Sequence, residues 1–124
     1  MDDAQLLRYS RHILLSELGP DAQERFASAH ALIVGMGGLG APAAQFLAAA
    51  GVGTLTICDA DHVDLTNLQR QILYATGDIG AAKVDAAAQR IAAINPEVRV
   101  ARIGRRVGPA DLAPLVAAAD VVLD

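Results

Sequence analysis

The sequence predicts an α/β fold, a mostly parallel sheet crossed by helices, and three observations carry that prediction. Two short, wholly apolar runs, Ala31-Leu32-Ile33-Val34 and the stretch from Thr54 to Cys58, read as strands buried on both faces. Segments with helical periodicity alternate with such runs, giving the order β-α-β-loop-α-β-α-β. Strands that alternate with helices pair in parallel, because each helix is the crossover between them.

The elements follow in order. Residues 3–15 place Leu6, Leu7, Ile13 and Leu14 around Arg8, Arg11 and His12, the pattern of an amphipathic helix. Gly19-Pro20-Asp21 breaks that helix and starts a short one that runs to about Ser28. The first strand ends in Gly35-Met36-Gly37-Gly38-Leu39-Gly40, and a helix is expected over 39–50 with Gly51 as its stop. The second strand closes at Asp59. Residues 59–79 form a long polar loop, a candidate functional segment because it follows a core strand directly. The clearest helix is expected over 80–94, with Val84, Ala87, Ala88, Ile91 and Ile94 on one face, Asp78 as its cap and Asn95-Pro96 as its end. Residues 98–103 alternate as a strand near a sheet edge, Pro109 opens a last helix, and Val121-Val122-Leu123 is the fourth strand.

Composition sets the outer bounds. The chain has 124 residues, 53% hydrophobic and 19% charged, which excludes intrinsic disorder and matches one ordinary domain or half of a larger one. Cys58 is the sole cysteine, so neither a disulfide scaffold nor a Cys-rich zinc site can be built. Ten basic against fourteen acidic residues argue against a nucleic-acid binder. No apolar run reaches the ~18–20 residues of a membrane span, and the acidic start does not read as a signal peptide, so a soluble, cytoplasmic setting is expected. Alanine supplies 26 residues, which suits close packing of helix on sheet.

Gly35-x-Gly37-Gly38-x-Gly40 matches the G-x-G-x-x-G fingerprint of Rossmann-like nucleotide-binding sheets, in the required place between strand and helix. Glycine lets a phosphate approach backbone where a β-carbon would clash, and the helix start offers free amides. Asp59, at the end of the next strand, is placed to accept from ribose hydroxyls. This much fits a dinucleotide as well as ATP. The polar loop separates them: Asn67, Arg70, Gln71 and Lys83 supply more donors and cations than a dinucleotide needs, and a triphosphate requires them. Lys83 lies in a first helical turn, where a cation opposes the dipole unless an anion compensates it; the alternative is a solvated surface lysine.

Arg8-Tyr9-Ser10-Arg11-His12-Ile13-Leu14-Leu15, the glycine turn, Asp59-x-Asp61, Thr66-Asn67-Leu68-Gln69-Arg70-Gln71 and Lys83-Val84 occur in the same order as in the MoeB/ThiF/HesA family, bacterial relatives of the ubiquitin-activating enzymes, and the chain resembles that family over nearly its whole length. The resemblance implies ATP-dependent adenylation of the C-terminal glycine carboxylate of a ubiquitin-like sulfur-carrier protein, giving an acyl-adenylate and pyrophosphate for sulfur transfer in cofactor biosynthesis. By position it implies that Gly35, Gly37, Gly38 and Gly40 hold the phosphates and that Asp59, with Asp61 nearby, holds the ribose. Asn67, Arg70 and Lys83 would bind phosphates, with Gln71 a further cofactor-binding residue, and Arg11 would reach across a homodimer interface formed by residues 1–28. Arg11, Arg70 and Lys83 are the implied catalytic residues.

The resemblance also marks departures. The family's magnesium-binding aspartate falls three residues beyond Asp124, and its paired Cys-x-x-Cys zinc motifs and catalytic cysteine are not in this sequence. Residues 1–124 are therefore expected to be the first half, about four strands, of the nucleotide-binding domain, with little activity alone and one bare sheet edge. Two rivals stand beside this reading: an NAD-dependent oxidoreductase half-domain, and a non-catalytic dimerisation or regulatory module of the same family. Cys58 reads as a buried small hydrophobe, and His12, His30 and His62 make no metal-ligand pattern. Asp61 and Asp64 lack a third magnesium ligand. Arg99, Arg102, Arg105 and Arg106 read as a solvated strand edge and loop.

Overall fold

A computed structural model describes residues 1–124 and holds four parallel strands in the order β3-β2-β1-β4. The strands are β1 (His30–Val34), β2 (Thr54–Cys58), β3 (Arg99–Ile103) and β4 (Val121–Leu123). Three helices precede the sheet, α1 (Asp3–Arg8), α2 (Ser10–Ile13) and α3 (Gly19–Ser28); three cross over it, α4 (Gly40–Ala50), α5 (Lys83–Ile94) and α6 (Pro109–Ala118). The predicted α/β class and strand sequence hold. β1 lies between β2 and β4, with Leu32 level with Thr56 on one side and Val122 on the other, so the glycine turn leaves from the middle of the sheet.

Alternation along the strands divides the core. Ala31, Ile33, Leu55 and Ile57 face Ala41, Ala44 and Ala48 of α4 and Val84, Ala87 and Ile91 of α5 in one continuous apolar cluster. The alanines let α4 approach the sheet closely. Gly51, at φ 92°, ends α4 in the left-handed region that favours glycine, as expected. Asn95 ends α5, its side-chain amide donating to the Ala48 carbonyl at 2.9 Å and the Tyr9 hydroxyl at 2.7 Å.

Two boundaries depart from the sequence reading. The helix expected over 3–15 is broken at Tyr9, whose backbone (φ −104°, ψ 16°) leaves the helical region. Tyr9 is the buried anchor of this segment, while Leu7 and Leu14, expected on a buried face, are each 77% exposed. The hydroxyl's bonds to Asn95 and Glu97 hold the ring in the core, and continuous periodicity would carry it outward. The second departure is the start of α5 at Lys83 instead of residue 80, without an Asp78 cap. Gly80 takes φ 90°, and residues 80–82 pair with 61–63 in a short antiparallel bridge through Gly80 N–Val63 O and Val63 N–Ala81 O. Asp78 instead accepts from Ala75 N at 2.7 Å, closing the 3₁₀ turn Thr76–Asp78. No helix is long and apolar enough to cross a membrane.

Candidate functional site

The site starts from the turn after β1. Gly35 takes φ 93° and donates its N–H to the Cys58 carbonyl at 2.7 Å, tying the turn to the end of β2. A β-carbon on Gly40 would collide with the Gly35 carbonyl, so glycine there is a demand of the turn itself. Gly37 and Gly38 differ. A β-carbon on Gly37 would meet only Gln71 Nε2, at 3.6 Å, and one on Gly38 only Arg70 Nε, at 4.0 Å. The protein alone leaves room for alanine at both. The amides of Gly37, Gly38 and Leu39 hydrogen-bond to no other protein group, and α4 begins here without a side-chain cap or an acidic residue in its first turn. Three unpaired donors at a helix start, roofed by an arginine and a glutamine, form a cradle for an anion.

Asp59 is fixed beside that cradle. Its Oδ2 accepts from Met36 N and its Oδ1 from Asp61 N, both at 2.7 Å. Each oxygen keeps a lone pair for a ligand. Tyr74, buried, donates its hydroxyl to the Met36 carbonyl at 2.7 Å, so Met36 is held on both sides of its peptide. Burial pushes the Tyr74 phenol well above its ordinary range, and the Asp59 and Asp78 charges push it further; it is a permanent donor here. Sequence reading did not single out Tyr74.

The segment expected as a long polar loop is largely structured. Val63, Gln71, Leu73 and Tyr74 are buried, and Leu65–Asn67 forms a 3₁₀ turn. Asp64 caps that turn, accepting from Thr66 N at 2.8 Å and Thr66 Oγ1 at 2.6 Å, while Asn67 Oδ1 accepts from Asp64 N at 3.2 Å. The Thr66 hydroxyl and amide hold the Asp64 carboxyl below the usual carboxylate range. Arg70 is exposed and anchored by one bond, Nη1 to the Thr66 carbonyl at 3.2 Å. Gln71 is 3% exposed, and its Oε1 has no partner.

Lys83 is the first residue of α5, with its N–H on the Asp61 carbonyl at 3.0 Å. Its side chain is 5% exposed and joins neither of the protein's two ion pairs, Arg102–Asp85 and Arg105–Asp111. The solvated-lysine alternative is thereby excluded. This nearly buried cation stands at a helix start, where the dipole opposes it, and Asp64 is a carboxylate that feels its charge.

A cleft of about 400 Å³ opens at the carboxyl ends of β1, β2 and β3, lined by Gly35, Asp59, Asp61, Arg105, Arg106 and neighbours. Two of the four arginines read as a solvated edge therefore line the cleft; Arg102 lies outside it, paired with Asp85. Their place one step past β3, beside the strand ending in Asp59, was the available signal. Cys58 is 2% exposed, and burial raises its thiol against a smaller pull from Arg105. β4 delivers Asp124 next to Leu39 and Gly40. Arg11 is exposed on α2 and is not among the residues around the cleft. No group of three or more His, Cys, Asp or Glu side chains comes together to hold a metal, Asp61 and Asp64 included.

Comparison with known proteins agrees with this geometry. The ThiF family model matches residues 9–124. The chain is 46% identical to the SAMP-activating enzyme E1 of Haloferax volcanii, over the whole chain and 46% of that protein. It is 47% identical to the sulfur carrier protein ThiS adenylyltransferase of Escherichia coli, over the whole chain and 49% of that protein. Among solved structures, E. coli tRNA N6-threonylcarbamoyladenosine dehydratase, TcdA, in complex with ATP superposes with a TM-score of 0.86 at 38% identity, covering 94% of this chain and 47% of that one. The chain spans about half the length of the curated relatives it matches. With its parallel sheet, glycine turn and family match together, the chain belongs to the ThiF family.

Proposed function

We propose that this chain carries the nucleotide-binding half of an ATP-dependent adenylyltransferase whose substrate is the C-terminal carboxylate of a ubiquitin-like sulfur-carrier protein. One observation carries the reading: the unpartnered amides of residues 37–39 lie under Arg70 and Gln71 at the start of α4. So much positive potential around a glycine cradle suits a triphosphate better than the two phosphates of NAD.

In this reading the amides and the α4 dipole hold the phosphates, and the free lone pairs of Asp59 take the ribose hydroxyls. The carrier carboxylate attacks the α-phosphorus; the bond to the β-phosphate's bridging oxygen breaks, and pyrophosphate leaves with the electron pair. The nucleophile is already ionised near neutral pH, so no general base is needed. The task is electrostatic, because two anions must meet and a third must depart. Arg70 and Lys83 offset that charge, and Asn67, oriented by the Asp64 cap, adds a neutral donor. Magnesium would accompany ATP as its counter-ion. Arg11 acts from a second copy of the chain; exposed Leu7, Leu14 and Leu15 beside it support a homodimer surface.

The test is calorimetry of ATP and of NAD, each with magnesium, against the wild-type chain and Arg70→Ala. ATP binding that the substitution weakens at least about tenfold, with no NAD binding, supports the proposal. NAD binding unaffected by the substitution overturns it in favour of an oxidoreductase half-domain. Binding of neither by the chain, and by any longer form of the protein, favours a non-catalytic module.

A further inference from the structure

The sheet order β3-β2-β1-β4 arranges the cleft as a sequence of stations. The phosphate cradle leaves β1, and Asp59, the ribose acceptor in the proposed reading, directly follows β2. The next strand outward is β3, so the base of a nucleotide laid along this line comes to rest where β3 runs into residues 104–108. Arg105, Arg106 and Val107 form that wall of the cleft, facing Ala60 and Asp61. An aliphatic residue and guanidinium planes are a suitable surface against which to lay an aromatic base.

Asp111, in the first turn of α6, ties this wall in place. The Arg105 guanidinium forks onto both of its oxygens, Nη1 to Oδ2 at 2.9 Å and Nη2 to Oδ1 at 3.2 Å. The same Oδ2 accepts from Gly108 N at 3.0 Å. One carboxylate thus grips the loop near its start and at its end, and no other side-chain hydrogen bond reaches residues 104–108. Hydrogen bonds from the Arg105 guanidinium and the Gly108 amide hold the Asp111 carboxyl below the usual range, so the grip is ionised at neutral pH. Arg106 is exposed and in neither ion pair, free to lie against a ligand.

We propose that the Arg105–Asp111 pair is a latch that shapes the base-side wall of the cleft, making Asp111 a positioning residue for the nucleobase. The inference rests on the nucleotide reading above and extends it to the part of the ligand that Asp59 and the glycine turn do not touch. Breaking the latch loosens the base contacts and leaves the phosphate cradle intact.

The test uses two probes on the full chain, ATP and inorganic tripolyphosphate, each with magnesium. Tripolyphosphate reports the cradle without the base. In Asp111→Asn and in Arg105→Ala, ATP affinity is expected to fall by roughly fivefold, the scale of one charge-assisted contact, while tripolyphosphate affinity stays at its wild-type value. Arg102→Ala, which breaks the other exposed ion pair, on β3 and outside the cleft, is expected to leave both affinities unchanged. Unchanged ATP affinity in both latch variants overturns the latch. So does an equal loss for tripolyphosphate, which would make the pair a general structural support. Failure of wild type, and of any longer form of the protein, to bind ATP would instead overturn the nucleotide reading itself, and the latch with it.

Discussion

Gly40 stands so close to Gly35 that its missing β-carbon would occupy the space of the Gly35 carbonyl oxygen. Gly37, three residues earlier, has no such neighbour. One fingerprint therefore contains two kinds of glycine, and they are separable by experiment. Gly40→Ala forces backbone apart and is expected to destabilise the fold by about 3 kcal/mol or more, read as a lowered denaturant midpoint. Gly37→Ala meets only a glutamine side-chain end at ordinary contact distance and is expected to change stability by less than ~1 kcal/mol. Its added methyl lies beside the free amides, so nucleotide binding should fall below detection by calorimetry. An unfolded Gly37→Ala protein would contradict the assignment.

Lys83 gives the opposite pairing of stability and binding. Its side chain is nearly buried, opposes the α5 dipole and has no ion-pair partner. Lys83→Met keeps the aliphatic stem and removes the charge. The ligand-free protein is expected to gain about 1 kcal/mol in urea unfolding while losing ATP affinity. A loss on both counts would mean that the ammonium is already well compensated within the chain.

Tyr74 fixes the turn from behind. Tyr74→Phe leaves the buried Met36 carbonyl without its donor at 2.7 Å and is expected to cost about 1–2 kcal/mol, with a matching rise in amide hydrogen exchange over residues 35–38. Stability equal to wild type would show that solvent replaces the hydroxyl without cost.

Acid titration reads two caps at once. Asp64 and Asp111 both have carboxyls held below their ordinary value by hydrogen bonds to the charged form. A group with a depressed folded-state pKa contributes stability above its unfolded value, about 3.9 for aspartate, and that contribution is lost as pH falls through the folded value. The difference in melting temperature between wild type and Asp64→Asn should be full at pH 6 and should shrink below pH ~4. A difference that grew with acidity would reverse the assigned sign.

The sequence carried the β1–turn–α4 unit plainly, because apolar run, glycine spacing and alanine-rich helix are all local signals. It carried the donors and cations of this segment, Asn67, Arg70, Gln71 and Lys83, by type and order alone. It did not carry the break at Tyr9, which is decided by hydrogen bonds to Asn95 and Glu97 far along the chain. Nor did it carry the late start of α5: Gly80 looks tolerable at a helix start until residues 80–82 are seen paired with 61–63. Arg105 and Arg106 acquire their place only from strand order, since nothing local distinguishes an arginine over a cleft from one in open water.

The two backbone N–H groups on Asp59 have a consequence for how fast and how freely a ligand can settle. A carboxylate gripped at both oxygens is already in its final rotamer. The ordering of a mobile side chain, about 0.5–1.5 kcal/mol where it must be immobilised on binding, does not oppose association here. The acceptor waits in place, and a ligand that reaches it does not have to wait for the side chain to turn.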